Sequence, residues 1–382
     1  MRKILIGTTA LLAVGAYATT SSADVSLSGF TQYLVGSSDQ TTIAGQSGAA
    51  ASTSDPAGIA DGRFTRIYFN AETTTDNGLT VGTTQSLISD VVNNTTPDNT
   101  GGLPTKQNIY INTAMGTIDI GNTASATTTI LARPTGSIPG ADIDTGYAVV
   151  HFMSGDTANT FEGFNEYGYA NNAAKLTWVS NSYDGLKMAV SYTPDTGETV
   201  AGDGNNASAQ TVTNSVLQGF SDVIGIAAGY SGAFEGVDVN IGISWEGGNG
   251  ATVSNVEYED LNQVAIHGTV SMAGFTLGYM WHDRGDSGGI VTTNGDGGDA
   301  NVVTAKYTTG AITVGGALAN STYTTAASAD NDDEEVTYGI GYNLGGGVDT
   351  YVAYFSREQD AGVNSTTRTD ASGIFAGINF SF

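Results

Sequence analysis

The sequence predicts an all-β fold, a transmembrane antiparallel β-barrel of 16 strands with short turns on one rim and long loops on the other. Three observations predict it. Apolar and polar residues alternate with period two along many short segments. Tight turns bearing Gly and Asn alternate with long polar stretches from end to end. Each segment has one apolar and one polar face, and the chain has no second apolar layer to cover the first.

Composition narrows the field before any strand is drawn. The 382 residues carry 12 Lys+Arg against 38 Asp+Glu, a formal charge of −26, with 53 Gly and no Cys. The charged share, 13%, is about half that of a soluble domain. Glycine has no three-residue period, so the chain is not collagen-like. Without cysteine it is no disulfide scaffold, and this charge disfavours a phosphate backbone, so no nucleic-acid partner is expected. Eighteen Tyr and 13 Phe argue against an acidic disordered chain.

Residues 1–23 read as a secretory signal peptide. Arg2 and Lys3 are followed by the apolar stretch Ile4 to Ala18 and the small residues Thr19 to Ala23. A membrane anchor helix fits less well, because the stretch is short and holds Gly7, Thr8, Thr9 and Gly15. Cleavage after Ala23 leaves 24–382, 359 residues with 10 basic and 38 acidic side chains, a charge of −28, read as one barrel domain.

The strands follow from alternation. Val237, Val239, Ile241, Ile243 and Trp245 alternate with Asp238, Asn240, Gly242 and Ser244; Phe275 to Trp281 repeats the pattern. Seven short turns fall at Thr75–Gly78, Met115–Gly116, Asn181–Gly185, Ser231–Gly236, Met272–Gly274, Thr308–Gly310 and Leu344–Gly347. Eight long stretches lie near 37–61, 89–105, 123–172, 195–221, 248–259, 285–299, 321–333 and 359–369. Fifteen connections require sixteen strands, predicted at about 25–36, 62–74, 79–88, 106–114, 117–123, 173–181, 185–194, 222–231, 236–247, 260–272, 274–284, 300–308, 310–320, 335–344, 348–358 and 370–382.

Lipid can cover the apolar face if the sheet closes and pairs every backbone group, and the polar face then encloses water. Trp178, Tyr192, Tyr230, Trp245, Tyr279, Trp281, Tyr342 and Phe382 are the candidates for interfacial aromatic bands.

Three segments carry a family resemblance. The terminal "GIFAGINFSF" alternates and ends on Phe382, like the signal read by barrel-assembly machinery. "NIYINTAMGTIDIGNT" at Asn108–Thr123 resembles the strand–turn–strand ahead of a pore-constricting loop, and "DVSLSGFTQYLVG" resembles a first barrel strand. In their order and spacing the chain resembles the general diffusion porins of Gram-negative outer membranes, the alphaproteobacterial type in particular. The resemblance implies a homotrimer of sixteen-stranded barrels in the outer membrane, in contact with lipid and lipopolysaccharide. It also implies periplasmic turns, extracellular loops, passive diffusion of small hydrophilic solutes and ions, and a third loop that folds into the lumen.

The third stretch, 123–172, is the longest and holds apolar residues, among them Ile130, Leu131, Ile138, Phe152 and Phe164. Such residues suit a segment packed on a wall better than one in water. By the resemblance, Asp142, Asp144, Glu162 and Glu166 oppose the wall cations Arg66 and Lys175, with Arg133 as a further candidate. The family's usual cluster of wall arginines is absent from this basic-poor chain. The carboxylate excess predicts mild cation selectivity.

No catalytic residues and no cofactor are expected. His151, His267 and His282 form no metalloprotease motif, and no GxSxG occurs. "DNDDEE" supplies Asp330, Asp332 and Asp333 as weak candidates for loosely bound Ca²⁺, without EF-hand spacing. A calcium-binding adhesin or β-solenoid would need a fixed short repeat, which is missing. A gated transporter would need a plug domain. A structural barrel anchor with a blocked lumen is the remaining alternative.

Overall fold

The computed structural model describes residues 23–44, 52–54, 60–91, 104–131, 136–138, 141–142, 173–196, 220–253, 256–287, 291, 296–325, 329–360 and 367–382. The segment 1–23, read from the sequence as a signal peptide, lies outside them but for Ala23.

Sixteen antiparallel strands form the wall. In chain order they are β1 (Asp24–Ala44), β2 (Ala60–Thr74), β3 (Thr80–Val91), β4 (Pro104–Thr113), β5 (Gly116–Asn122), β6 (Ala174–Ser180), β7 (Leu186–Asp195) and β8 (Ser221–Phe234). Then come β9 (Val237–Asn249), β10 (Leu261–Met272), β11 (Phe275–Asp283), β12 (Asp296–Thr309), β13 (Ile312–Thr325), β14 (Ala329–Gly345), β15 (Val348–Asp360) and β16 (Thr367–Ser381). A three-residue strand at Ser52–Ser54 adds to β1 beyond the wall. Each wall strand pairs with its chain neighbour, and β1 also pairs with β16, so the sheet closes. Closure removes every edge, as strands in an apolar medium require.

The seam is staggered. β1 meets β2 over Asp24–Gly36 but meets β16 over Phe30–Ala44. Such an offset is what tilts strands in a barrel. Phe382, the last residue, exchanges two backbone hydrogen bonds with Gly29, at 2.9 and 3.0 Å.

The short connections are tight hairpins. Asp184–Gly185, Glu235–Gly236 and Ala273–Gly274 all have positive φ at both residues, the backbone of the type I′ turn that matches strand twist.

Every predicted strand has its counterpart, but several run further on the loop side. β1 continues to Ala44 rather than ending near 36. The stretch 321–333, read as a loop, is mostly strand, with β13 and β14 paired out to Thr325↔Ala329. Beyond the lipid both faces touch water, so pairing continues there without apolar alternation.

The two faces differ as lipid and water require. Outward residues such as Ile224, Ile226, Ile241, Ile243, Ile266, Leu277 and Val303 are between 42% and 61% exposed, so nothing in the chain covers them. All eight aromatic candidates sit on this face. Three of them hydrogen-bond to neighbouring side chains: Tyr192 donates to Asp222 at 2.7 Å, Trp245 to Asn262 at 2.9 Å and Tyr279 to Asn301 at 2.8 Å. Rings join across strands at the turn end, with Phe275 and Tyr307 centroids 4.4 Å apart. The inner face carries Gln32, Ser86, Asn108, Thr177, Ser191, Ser244 and Thr304, interspersed with Ala and Gly.

Toward the outer end of β14 and β15, Arg357 holds Asp333 in a two-pronged ion pair, Nε to Oδ1 at 3.0 Å and Nη2 to Oδ2 at 2.5 Å, with both side chains fully enclosed. Removing one partner strands a buried charge, at about 3–5 kcal/mol. Arg357→Ala should therefore lower the unfolding temperature of the detergent-solubilised protein, followed by loss of its strand circular dichroism. Replacing both partners, Asp333→Leu with Arg357→Met, should recover most of the loss.

Candidate functional site

The interior is shaped where the third long connection enters it, directly after β5. Its first turn is a short helix, α1 (Ala126–Ile130). Ser125 caps it, accepting from the Thr128 amide at 3.4 Å, and Leu131 N–H closes its end on the Thr127 carbonyl at 2.9 Å. A helix this short has no stability of its own, so the wall must hold it.

The wall does so with polar and apolar contacts. Lys175 of β6, 4% exposed, donates from Nζ to the Thr123 carbonyl at 2.6 Å and to the Ala173 carbonyl. Thr177 donates to the Ala124 carbonyl at 2.8 Å, and the Ala126 amide donates to Ser191 Oγ at 3.0 Å. Asp119 accepts from Thr123 at 2.7 Å and from Asn108 at 2.6 Å. Glu246 of β9, 1% exposed, accepts from Gln263 at 2.7 Å, and Gln263 meets His282 at 3.0 Å. The same carboxylate lies beside the Ser125 and Thr127 hydroxyls and close to the Lys175 ammonium. A buried charge needs hydrogen bonds and an opposite charge nearby; Lys175 has its two carbonyls and Glu246 has Gln263, and the surrounding bonds tie the start of α1 to the wall.

The apolar contacts continue the same path. Ala126 packs on Ala189 and Ala227, with Ile130 and Val179 beside them. A Cβ at Gly229 would lie 2.8 Å from Ile130 Cγ2, so only glycine leaves that space. Leu131 enters a cluster of Ala265, Met280, Ala300, Val302, Ala317 and Ala319 on the inner faces of β10 to β13. Next along the connection, Gly136–Ile138 and Ala141–Asp142 form a small two-stranded ladder of their own. Ile138 is buried, and a Cβ at Gly339 of β14 would lie 2.6 Å from its Cδ1. From Thr123 to Ile138 the described parts of the connection thus follow the inner wall from β6 round to β14.

The predicted site residues fall into three groups. Arg66 faces inward on β2, its guanidinium 5.4 Å from the centre of the Phe64 ring and its Nη1 3.3 Å from the Tyr68 hydroxyl. Lys175 lies in the wall at the root of the connection, where it binds backbone carbonyls. Arg133, Asp144, Glu162 and Glu166 lie outside the described residues, as does the side chain of Asp142. Of the calcium candidates, Asp333 is engaged by Arg357 and Asp332 accepts from Thr322 at 3.0 Å; the side chain of Asp330 lies outside the described residues. Among the described residues no group of three or more His, Asp or Glu is gathered closely enough to hold a metal ion.

Glu246, Gln263, Asp119 and Ser191 belong to the network that holds the connection, and the sequence reading did not single them out. Their signal is a polar residue in the inward phase of a strand, which Glu246 gives by following the outward Trp245.

Comparison with known proteins gives one family. The family model described as Gram-negative porin matches residues 7–362. Similar solved structures include a loop-deletion mutant of OmpT, an outer membrane protein of Vibrio cholerae, at 12% identity and TM-score 0.56. Others are OmpT in a trimer form, at 12% identity and TM-score 0.55, and a mutant Rh. blastica porin, at 17% identity and TM-score 0.52. Each covers 94% of this chain and 100% of the other. No curated protein matches by sequence alone. At these identities the structures speak for the fold, and the closed barrel removes the β-solenoid alternative. The family match spans nearly the whole sequence, and the chain belongs to the Gram-negative porins of the outer membrane.

Proposed function

We propose that the protein is a homotrimeric, water-filled channel for passive diffusion of small hydrophilic solutes and ions, mildly selective for cations. The observation that carries the reading is the division of the wall: apolar residues outward without cover, polar residues inward, and a connection bound along the inner face. A wall so divided suits lipid on one side and water on the other. The trimer form of the OmpT structure supports the assembly.

The third connection is the constriction in this reading. Asp142, Asp144, Glu162 and Glu166 line it, with Arg133, and Arg66 faces them from β2; the opposed charges orient dipolar solutes. Lys175 serves as the anchor of the root. Cation preference is supported by the net charge and by the outer end of the barrel. There Asp299, Asp332, Glu334 and Glu358, in the outward phase of β12, β14 and β15, edge a hollow of about 410 Å³ on the outer side of the wall. Such charges draw cations to the outer end of the barrel.

Reversal potentials across a planar bilayer in a KCl gradient test this. The potential should carry the sign of K⁺ preference; a Cl⁻-favouring sign rejects the selectivity, and silence in every preparation rejects the channel in favour of a structural barrel. A second prediction concerns the anchor. Gly229→Val should push Ile130 off the wall toward the lumen and lower single-channel conductance, with strand content unchanged by circular dichroism. Conductance equal to the parent protein would show that α1 does not border the conducting path.

A further inference from the structure

We propose that the inner wall at β1 and β2 carries a binding station for organic anions with a flat apolar body, aromatic carboxylates being the simplest of that class. The inference rests on the channel reading and names solutes within it.

Arg66 stands directly opposite Phe30 in the β1–β2 register, both on the inward face. Phe64 lies beneath the pair, its ring centre 5.4 Å from the guanidinium carbon and 5.4 Å from the Phe30 ring centre. Phe64 is buried, whereas Arg66, Phe30 and Tyr68 stay partly exposed. No carboxylate among the described residues pairs with Arg66, and its enclosed Nε has no hydrogen-bond acceptor. With no described carboxylate upon it, the guanidinium offers its charge to a solute in the lumen.

The surroundings say what that something is. Contact with Phe64 and the bond to Tyr68 fix the guanidinium plane, and a fixed plane offers parallel N–H donors matched to the two oxygens of a carboxylate. A cation alone would take any anion. Phe30 and Tyr68 beside it add aromatic surface that only a solute with an apolar, flat body can use. Carboxylate at Arg66 and ring against Phe30 and Tyr68 is therefore the complementary pose. An otherwise acidic pore would repel such solutes, and the station gives them one site of attraction.

The test is current block in planar bilayers, using benzoate, acetate and benzyl alcohol on the full-length trimer. Benzoate should reduce the open-channel current at about tenfold lower concentration than acetate, the ring and the charge-assisted bonds acting together, while benzyl alcohol should have no effect. Arg66→Gln should abolish the block, Arg66→Lys should weaken it, and Phe30→Ala should bring benzoate to the level of acetate. Strand circular dichroism and thermal unfolding of each variant report correct folding separately. Block by benzoate that survives Arg66→Gln, or equal block by acetate and benzoate in the parent protein, overturns the proposal while leaving the channel intact. A parent protein without any conductance overturns the channel reading itself.

Discussion

The constraint on which the rest of the structure depends is the pairing of backbone N–H and C=O groups where no water can reach them. An unpaired amide in hydrocarbon costs several kcal/mol, so sixteen strands must find thirty-two satisfied flanks, and only a ring provides them. Once the ring is fixed, the period-two geometry of a strand assigns every side chain to lipid or to the interior. The uncovered isoleucines outside and the serines, threonines and amides inside are two readings of one choice. The apolar surface that would condemn a water-soluble protein to aggregation is here the side that the membrane solvates.

The interior obeys a different rule. A wet space exerts no hydrophobic pressure on a loop to stay in place, so the third connection needs specific fasteners. It has two kinds. Lys175, Glu246, Thr177 and Ser191 bind the backbone and cap of α1, and small residues on the wall make room for Ile130, Leu131 and Ile138. The wall is therefore graded: smooth and small where the connection lies on it, aromatic and arginine-bearing at β1, β2, β15 and β16. There Tyr351 and Phe355 both approach Phe375, with ring centres 6.2 Å apart, and Gln32 donates to the Tyr351 hydroxyl.

Much of this was legible in the order of residues, and the unread part has physical causes. Strand number and turn positions followed from alternation because half of each strand meets lipid, which admits few substitutes for apolar side chains. The outer ends were not legible: Thr322 against Asp332 is a strand pair without an apolar member. The third connection could be assigned to the wall from Ile130, Leu131 and Ile138, whose apolarity has no use in water. The role of Lys175 could not, since a lysine in the inward phase reads the same whether it ends in water or on a carbonyl oxygen. Arg357 and Asp333 were within reach of hairpin register, being close to opposite on adjacent strands, but the acidic run "DNDDEE" drew attention to cations from solution rather than to one in the next strand.

The junction of Gly29 with Phe382 has a consequence for biosynthesis. The contact that shuts the cylinder joins residues 353 positions apart, nearly the largest separation that the chain permits. Until the C-terminal residues are made, the first strand has only one of its two neighbours. Long-range pairings of this kind form slowly and leave sticky intermediates. The ring can therefore close only after the last strand has been made.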